Sequence, residues 1–134
     1  MTTKVFINLP VKDLEKSKSF FQGLGYSFNP QFSDENAACM VISDTIFAML
    51  LVESYFRTFT NKEICDATKS TEVLIALDAS SKAEVQEMVS KAEKLGAVIY
   101  KEPADHGWMY QHSFADLDGH QWEFAYLDET QLPG

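Results

Sequence analysis

Two residues near the C-terminus, His112 and Glu123, are of types that do acid–base chemistry, and both lie in the short segment HSFADLDGHQWEFAY. Asp118 and Gly119 in this segment have alternating apolar flanks and predict a two-residue β-hairpin turn. In that register Phe114 lies opposite Glu123, and His112 is diagonal to Glu123, about 7–8 Å away between backbones. Such a pair could act as catalytic acid and base or could be a purely structural imidazole–carboxylate contact.

The same register divides the hairpin side chains between two faces, because directly paired residues share a face. The face predicted to enter the core carries Ser113, Ala115, Leu117, Trp122, Phe124 and Tyr126. The opposite face carries His112, Phe114, Asp116, Gln121, Glu123 and Ala125. A charge among apolar neighbours is costly unless it is used or paired, so Glu123 is predicted either to line a site or to form a structural salt bridge.

Composition narrows the classes of function. The chain has 134 residues, 46% of them hydrophobic, and a formal charge of −9. This predicts one folded domain, or two small halves that share a core, and disfavours nucleic-acid binding, which needs a basic surface. Cys39 and Cys65 form no CxxC pair or disulfide framework. Without a signal peptide or a membrane-length apolar run, we expect a soluble cytoplasmic protein with no membrane partner.

The first half is predicted to contain a strand, a helix and three further strands. Asp13 is a suitable N-cap for the helix, and Gly25 is a suitable stop. A turn near Asp44 separates the last two strands, which are apolar on both faces. The strands are predicted at 4–11, 26–32, 36–43 and 45–52, and the helix runs to about residue 24.

The second half repeats this order after a connector at 53–71. A strand is predicted at 72–78, then a helix that begins at the capping box Ser81 to Glu84 and ends at Gly96. A short strand at 97–101, a loop at 102–108 and the hairpin complete the chain. The connector has its own capping-box pattern, Thr60 to Glu63, and could hold a short helix. We therefore expect a single domain composed of module one (1–52), the connector (53–71) and module two (72–134).

The halves align by landmarks in a consistent order: Phe6 with Glu72, Gly25 with Gly96, and Asp44 with Asp118. With these features the sequence resembles the vicinal oxygen chelate (VOC) superfamily of glyoxalase I, bleomycin-resistance proteins, fosfomycin-resistance enzymes and extradiol dioxygenases. The matching segments are VKDLEKSKSFFQGLGY (11–26), EKLGA (93–97) and DLDGHQWEF (116–124). The resemblance implies an α+β fold of paired βαβββ modules that curl around one cavity.

The resemblance also indicates where a metal would bind. Metal-binding members place a ligand on the first and last strands of each module, and the corresponding positions here are Phe6, Met49, Glu72 and Glu123. Phenylalanine cannot ligate a metal, and a thioether is a poor ligand for a hard divalent ion. Glu72 and Glu123 alone fall short of the three protein ligands of a catalytic zinc site. We therefore expect no cofactor, and keep a divalent metal as the alternative.

The functional prediction is a protein that binds a small, partly aromatic ligand without a full metal site, usually as a homodimer. The alternative is a metal-dependent enzyme of the glyoxalase, lyase or dioxygenase type that uses Glu72 and Glu123, with Glu123 and His112 as the catalytic residues. Trp108 and Tyr110 could stack on a flat ligand or close a dimer contact. The predicted ligand-binding residues are Phe6, Asn8, Met40, Phe47, Met49, Trp108, Tyr110 and Phe114.

Overall fold

Each half of the chain folds into a four-stranded mixed sheet with a helix on one face. The structure is a computed structural model that describes residues 1–131. It contains two compact units, the first Met1–Cys65 and the second beginning at Asp66. The boundary between them falls inside the predicted connector. Among residues 1–131, none of the helices has the length and apolar character needed to cross a lipid bilayer.

The first unit has the predicted order of strand, helix and three strands, and its sheet is ordered β1-β4-β3-β2. β1 is parallel to β4, and the other neighbours are antiparallel. The elements are β1 (Val5–Val11), α1 (Leu14–Gly23), β2 (Ser27–Asn29), β3 (Ala37–Val41), β4 (Ile46–Val52) and the short helix α2 (Glu53–Phe56).

The ends of α1 are set by local chemistry. The Asp13 side chain accepts a hydrogen bond from the Lys16 N–H at 3.1 Å, as expected of an N-cap. Gly25 follows the helix with a φ of 107°, a left-handed conformation that favours glycine. The predicted strand 26–32 is shorter than expected, because a 3₁₀ helix begins at Pro30 after β2.

The core face of the first sheet packs with α1, which contacts β3 and β4. The side chains alternate, so one set of strand residues meets the helix and the other set lies on the opposite face. The buried residues of the core face are Leu9, Val11, Ala38, Met40, Ala48 and Leu50, and those of the helix include Leu14, Phe20 and Phe21.

The connector contains a helix, but not where the capping box predicts one. α2 directly continues β4 and contacts β1 and β4, and a 3₁₀ turn follows at Arg57–Phe59. At the predicted position the Thr60 hydroxyl accepts a hydrogen bond from the Lys62 N–H, which forms only a local turn. The prediction of a helix opening at Thr60 is therefore wrong.

The second unit repeats the topology, with its sheet ordered β5-β8-β7-β6 and β5 parallel to β8. The elements are β5 (Leu74–Asp78), α3 (Lys82–Lys94), β6 (Ala104–Asp105), β7 (Met109–Ala115) and β8 (Gln121–Leu127). The predicted strand at 97–101 is reduced to one bridge between Val98 and Ala115. A two-residue strand, β6, lies instead inside the predicted loop.

Capping and packing of α3 agree with the prediction. The Ser81 hydroxyl accepts a hydrogen bond from the Glu84 N–H at 3.0 Å, and the Glu84 carboxylate reaches back to Ser80. Gly96 follows the helix with a φ of 108°. The buried core of this unit comprises Ile75, Tyr110, Phe114, Trp122 and Phe124 from the sheet and Val85, Val89 and Ala92 from the helix.

The hairpin between β7 and β8 has a three-residue loop, 117–119, and not the predicted two-residue turn. The Asp116 N–H donates to the His120 carbonyl at 2.8 Å, and the Gly119 N–H donates to the Asp116 carbonyl at 3.0 Å. Gly119 has a φ of 92°. This matches a turn followed by one left-handed residue, the usual form of a three-residue hairpin loop.

The extra loop residue shifts the pairing of β7 and β8 by one position relative to the prediction. The observed pairs include Ser113 with Glu123, Phe114 with Trp122, and His112 with Phe124. Because side chains alternate along a strand, a shift of one residue exchanges the two faces of one strand relative to the other. The predicted division of faces is therefore right for β8 and wrong for β7.

Gly119 is also the point where the hairpin loop meets the turn at 66–70. A Cβ atom on Gly119 would lie 2.7 Å from both the Ala67 carbonyl carbon and the Thr68 nitrogen. These are backbone atoms, which cannot rotate away as a side chain could. Glycine is therefore required here both by its φ and by the close approach of a second backbone segment.

We expect Gly119→Ala to lower the free energy of unfolding by about 2–4 kcal/mol, because it adds a steric overlap to left-handed strain. Gly25→Ala is the matched control, since a Cβ at Gly25 would meet nothing within 4 Å. The control should cost only the strain, about 1–2 kcal/mol. Urea denaturation of both variants measures the difference, and equal losses would contradict the required close approach.

Candidate ligand-binding site

The face of the second sheet that carries Glu123 contains most of the unit's sheet-borne polar side chains. Glu123 lies in β8, opposite Ser113 of β7 on one side and Ala76 of β5 on the other. By strand alternation, this face includes Leu74, Ala76 and Asp78 of β5, Gln111, Ser113 and Ala115 of β7, and Gln121, Glu123 and Ala125 of β8, and we call it the Glu123 face.

The carboxylate of Glu123 is half-buried. Its cross-strand neighbours Ala76 and Ser113 have small side chains, so the sheet itself does not cover the carboxylate. Within residues 1–131 the side chain of Glu123 has no hydrogen bond and no ion pair. The predicted structural salt bridge is therefore absent from the described part of the chain. The carboxylate remains available to accept hydrogen bonds or a proton from a bound molecule.

The structure does not bring His112 and Glu123 together. In the observed register His112 pairs with Phe124 and so lies on the core face, while Glu123 lies on the opposite face. The His112 Nε2 atom is 3.0 Å from the Lys101 carbonyl oxygen. The predicted diagonal contact between the imidazole and the carboxylate is wrong, because the loop is one residue longer than a two-residue turn.

Glu72 lies outside the sheet. It is exposed and precedes β5, which begins at Leu74. The parallel register places Leu74 beside Gln121 in the second sheet and Phe6 beside Phe47 in the first. Leu74, and not Glu72, therefore occupies the strand position that corresponds to Phe6. The predicted alignment of Phe6 with Glu72 is therefore wrong, because the parallel registers align Phe6 with Leu74.

The first sheet presents an aromatic surface on the face opposite α1. Phe6 and Phe47 are neighbours on parallel strands, and their rings stack with centroids 4.9 Å apart and planes at 13°. Asn8 and Met49 form the next pair along the same strands. We call this surface, formed by Phe6, Asn8, Phe47, Met49 and Cys39, the Phe6 face. Phe6 is 53% exposed, and Phe47 and Met49 are half-buried.

Met40 does not belong to this surface. It pairs with Ala48 and is fully buried on the core face, so its predicted position in a ligand-binding wall is wrong. The residues of β3 on the side of Phe6 are Ala37, Cys39 and Val41, of which Cys39 pairs with Met49. Burial raises the pKa of the Cys39 thiol, which disfavours the nucleophilic thiolate.

The other predicted ligand-binding residues of the second unit lie mainly in its core. Phe114 is fully buried against Trp122 and Phe124, and Tyr110 is buried under the Lys82 ammonium, 4.9 Å from its ring centroid. Their predicted position on a ligand-binding face is wrong for the same reason as that of His112. Trp108 precedes β7 and is half-buried.

Asp116 is an important residue that the sequence prediction assigned only to a face. Its Oδ1 atom accepts hydrogen bonds from the Asp118 and His120 N–H groups, each at 3.0 Å. Its Oδ2 atom accepts one from the Trp122 indole at 2.9 Å. Burial raises the pKa of the Asp116 carboxyl above 3.8, against the opposing effects of the His120 charge and the N–H donors of Trp122 and Asp118. Its position just before the turn was the available signal.

The donor set does not fit a metal ion. Among residues 1–131 no group of three or more His, Cys, Asp or Glu side chains is placed to hold one. Glu72 lies before β5, and Phe6 and Met49 contribute a ring and a thioether. The two faces therefore offer a stacked aromatic pair with an amide and a thioether in one unit, and a carboxylate with neutral polar neighbours in the other.

Comparisons with known proteins agree with this architecture. Residues 3–43 match a family model described as bleomycin resistance protein-like N-terminal. The hypothetical protein SA1046 from S. aureus is 28% identical, with 94% of each chain covered and a TM-score of 0.80. A glyoxalase/bleomycin resistance protein/dioxygenase family enzyme from Burkholderia phytofirmans PsJN is 15% identical over 91% of this chain and 96% of that one, with a TM-score of 0.78.

This chain has the glyoxalase/bleomycin resistance/dioxygenase fold. The resemblance to the VOC superfamily is thereby confirmed, as is the α+β fold class. The fosfomycin resistance protein FosX from Listeria monocytogenes shares the fold at 22% identity, over 94% of this chain and 93% of that one, with a TM-score of 0.68. No curated protein matches the sequence significantly. A fold of this family supports several chemistries, so function has to be argued from the faces described above.

The raised pKa of Asp116 predicts a pH-dependent contribution to stability. The folded protein holds this proton more tightly than the unfolded chain does. The contribution is therefore complete below the ordinary carboxyl value of 3.8 and is lost as the pH rises through the higher folded value. Asp116→Asn should cost about 1–3 kcal/mol, because one N–H donor then faces an amide nitrogen.

The difference in free energy of unfolding between wild type and Asp116→Asn should accordingly be largest near pH 4 and shrink toward neutral pH. Urea denaturation across this range measures it. Asp44→Asn, in the exposed turn of the first unit, serves as the control and should show a difference close to zero throughout. A wild-type advantage that grows with pH would contradict the raised pKa.

Proposed function

We propose that the protein binds a small, partly aromatic molecule, with the Phe6 face of the first sheet as the surface that contacts the ring. The observation that supports this most directly is the stacked pair of Phe6 and Phe47, of which Phe6 is 53% exposed. Because the Phe6 ring already stacks on Phe47, a ligand ring can stack on Phe6 with little further loss of side-chain conformational entropy.

The neighbours of the ring pair favour a ligand with mixed character. Asn8 can donate and accept hydrogen bonds, and the Met49 thioether adapts to the shape of an aromatic partner. The Lys4 ammonium lies 5.9 Å from the Phe47 ring centroid, which is within the range of a cation–π interaction. The net charge of −9 further favours a neutral or cationic ligand.

Glu123 is our candidate acid–base residue in the second unit. Its carboxylate is half-buried and has no protein partner in residues 1–131, so it is free to accept a proton from a bound molecule. The alternative function is a metal-dependent VOC enzyme that uses Glu72 and Glu123, and no donor set among the described residues favours it. Homodimeric assembly and a cytoplasmic location stay predictions.

Proflavine, a planar aromatic cation, is a suitable probe for the Phe6 face, and quenching of its fluorescence reports binding. We expect Phe6→Ala to weaken binding about three- to tenfold, because a stacked ring contributes about 0.5–1.5 kcal/mol. Phe32→Ala is the matched control, since Phe32 is also in the first unit and is 63% exposed. Its affinity for proflavine should equal that of wild type.

Equal affinities of wild type and Phe6→Ala would contradict a ring-binding Phe6 face. The metal-dependent alternative is tested separately with chelator-treated protein and Ni²⁺, Zn²⁺, Mn²⁺, Fe²⁺ or Mg²⁺. A rise in Tm with one of these ions that disappears in Glu123→Gln would support that alternative, because only an ion bound to the folded state raises Tm.

A further inference from the structure

A cavity of about 440 Å³ lies entirely within the second unit. Three parts of the chain form its walls: the segment 67–71, the segment 96–100 that follows α3, and the ends of β7 and β8 with the loop between them. Its volume is in the range of pockets that hold small molecules, roughly 300–1,000 Å³. The cavity uses none of the residues of the Phe6 face and does not include Glu123.

The outer wall of the cavity, the segment 67–71, is held in place by specific contacts. Asp66 fixes its start, because its Oδ1 atom accepts hydrogen bonds from the Thr68 N–H at 3.0 Å and the Thr68 hydroxyl at 2.6 Å. The backbone of Ala67 and Thr68 then rests directly against Gly119. A wall fixed on both sides gives a preformed cavity, which lowers the entropic cost of binding.

Gln121 supplies the cavity with an unused hydrogen-bond acceptor. It lines the cavity at the start of β8, and its Oε1 atom is buried without a hydrogen-bond partner in residues 1–131. Buried polar atoms nearly always have a partner, and one without a partner destabilises the structure. Because the atom is covered, the Gln121 side chain has to rotate toward the cavity before a ligand N–H can satisfy the acceptor.

The other residues that line the cavity indicate which further chemical groups a ligand should carry. Val98, Tyr100 and Leu117 are 60%, 38% and 42% exposed and supply apolar and aromatic surface at the cavity. The Lys69 ammonium is a donor from which a ligand carbonyl oxygen can accept a hydrogen bond, whereas both donors of Thr68 are used by Asp66. A flat apolar body with an N–H donor next to a carbonyl oxygen matches this combination.

We propose that this cavity is a second binding site, distinct from the Phe6 face, for a small planar molecule that carries a carboxamide group. The amide N–H donates to Gln121 Oε1, the amide oxygen accepts from the Lys69 ammonium, and the planar body lies against Tyr100. An aromatic carboxamide is the simplest compound of this class.

Benzamide tests the site directly, with acetophenone as the matched probe because it has the same shape and carbonyl but no N–H. A molecule of this size should bind with a Kd on the order of 1 mM, which titration by ¹H–¹⁵N NMR can measure residue by residue. We expect benzamide to shift the signals of 67–71, 96–100 and Gln121, and acetophenone to bind about fivefold more weakly.

Two substitutions test the hydrogen-bond acceptor and the cavity volume separately. Gln121→Leu keeps a side chain of similar size and should remove the preference for benzamide over acetophenone without loss of fold, because it deletes an unsatisfied polar atom. Ala115→Leu partly fills the cavity and should weaken both compounds. Gln111→Leu is the control, since Gln111 also lies in β7 on the side of Glu123 but does not line the cavity.

Several results would overturn this second site. The proposal is wrong if benzamide does not bind at concentrations up to about 10 mM, or if it shifts only NMR signals of residues outside the cavity. It is also wrong if benzamide and acetophenone bind with equal affinity. A preference for benzamide that survives in Gln121→Leu, or affinities that Ala115→Leu leaves unchanged, would do the same. The proflavine experiment on Phe6→Ala is independent of every one of these outcomes.

Discussion

The pairing of β7 with β8 in the second unit depends on the hydrogen bonds that the Asp116 carboxylate accepts. One side chain accepts hydrogen bonds from the backbone of Asp118, the backbone of His120 and the indole of Trp122. It thereby ties the loop of the hairpin to the largest side chain of the core. Because these bonds fit a three-residue loop, they fix the register of β7 on β8 and decide that Glu123 lies opposite Ser113.

Local chemistry made much of the fold predictable. The caps at Asp13 and Ser81 form as the sequence indicates, because each needs only residues a few positions away. The hairpin register was missed because an Asp-Gly pair fits loops of two or three residues, and the buried acceptor at Asp116 decides between them. The face of Met40 was missed because β3 is apolar on both sides, so alternation carries no signal.

The two units share a topology but differ in the chemistry of their sheets. The Phe6 face has a stacked aromatic pair at the strand position to which the superfamily resemblance assigns a metal ligand, and the Glu123 face carries Glu123 and, at the end of β5, Asp78. The two sheets have the same strand order, and the side chains on their corresponding strands differ. The proposed binding of an aromatic molecule therefore rests on the side chains of the Phe6 face and not on the fold.

The register of the β7–β8 hairpin is the most direct test of this account, since the composition of the Glu123 face follows from it. Nuclear Overhauser effects between opposed backbone protons measure the pairing without any substitution, because opposed residues in antiparallel strands lie close together. We predict contacts that pair Ser113 with Glu123 and Phe114 with Trp122. Contacts that pair Phe114 with Glu123 and His112 with Ala125 would contradict the account, because His112 would then lie on the same face as the Glu123 carboxylate.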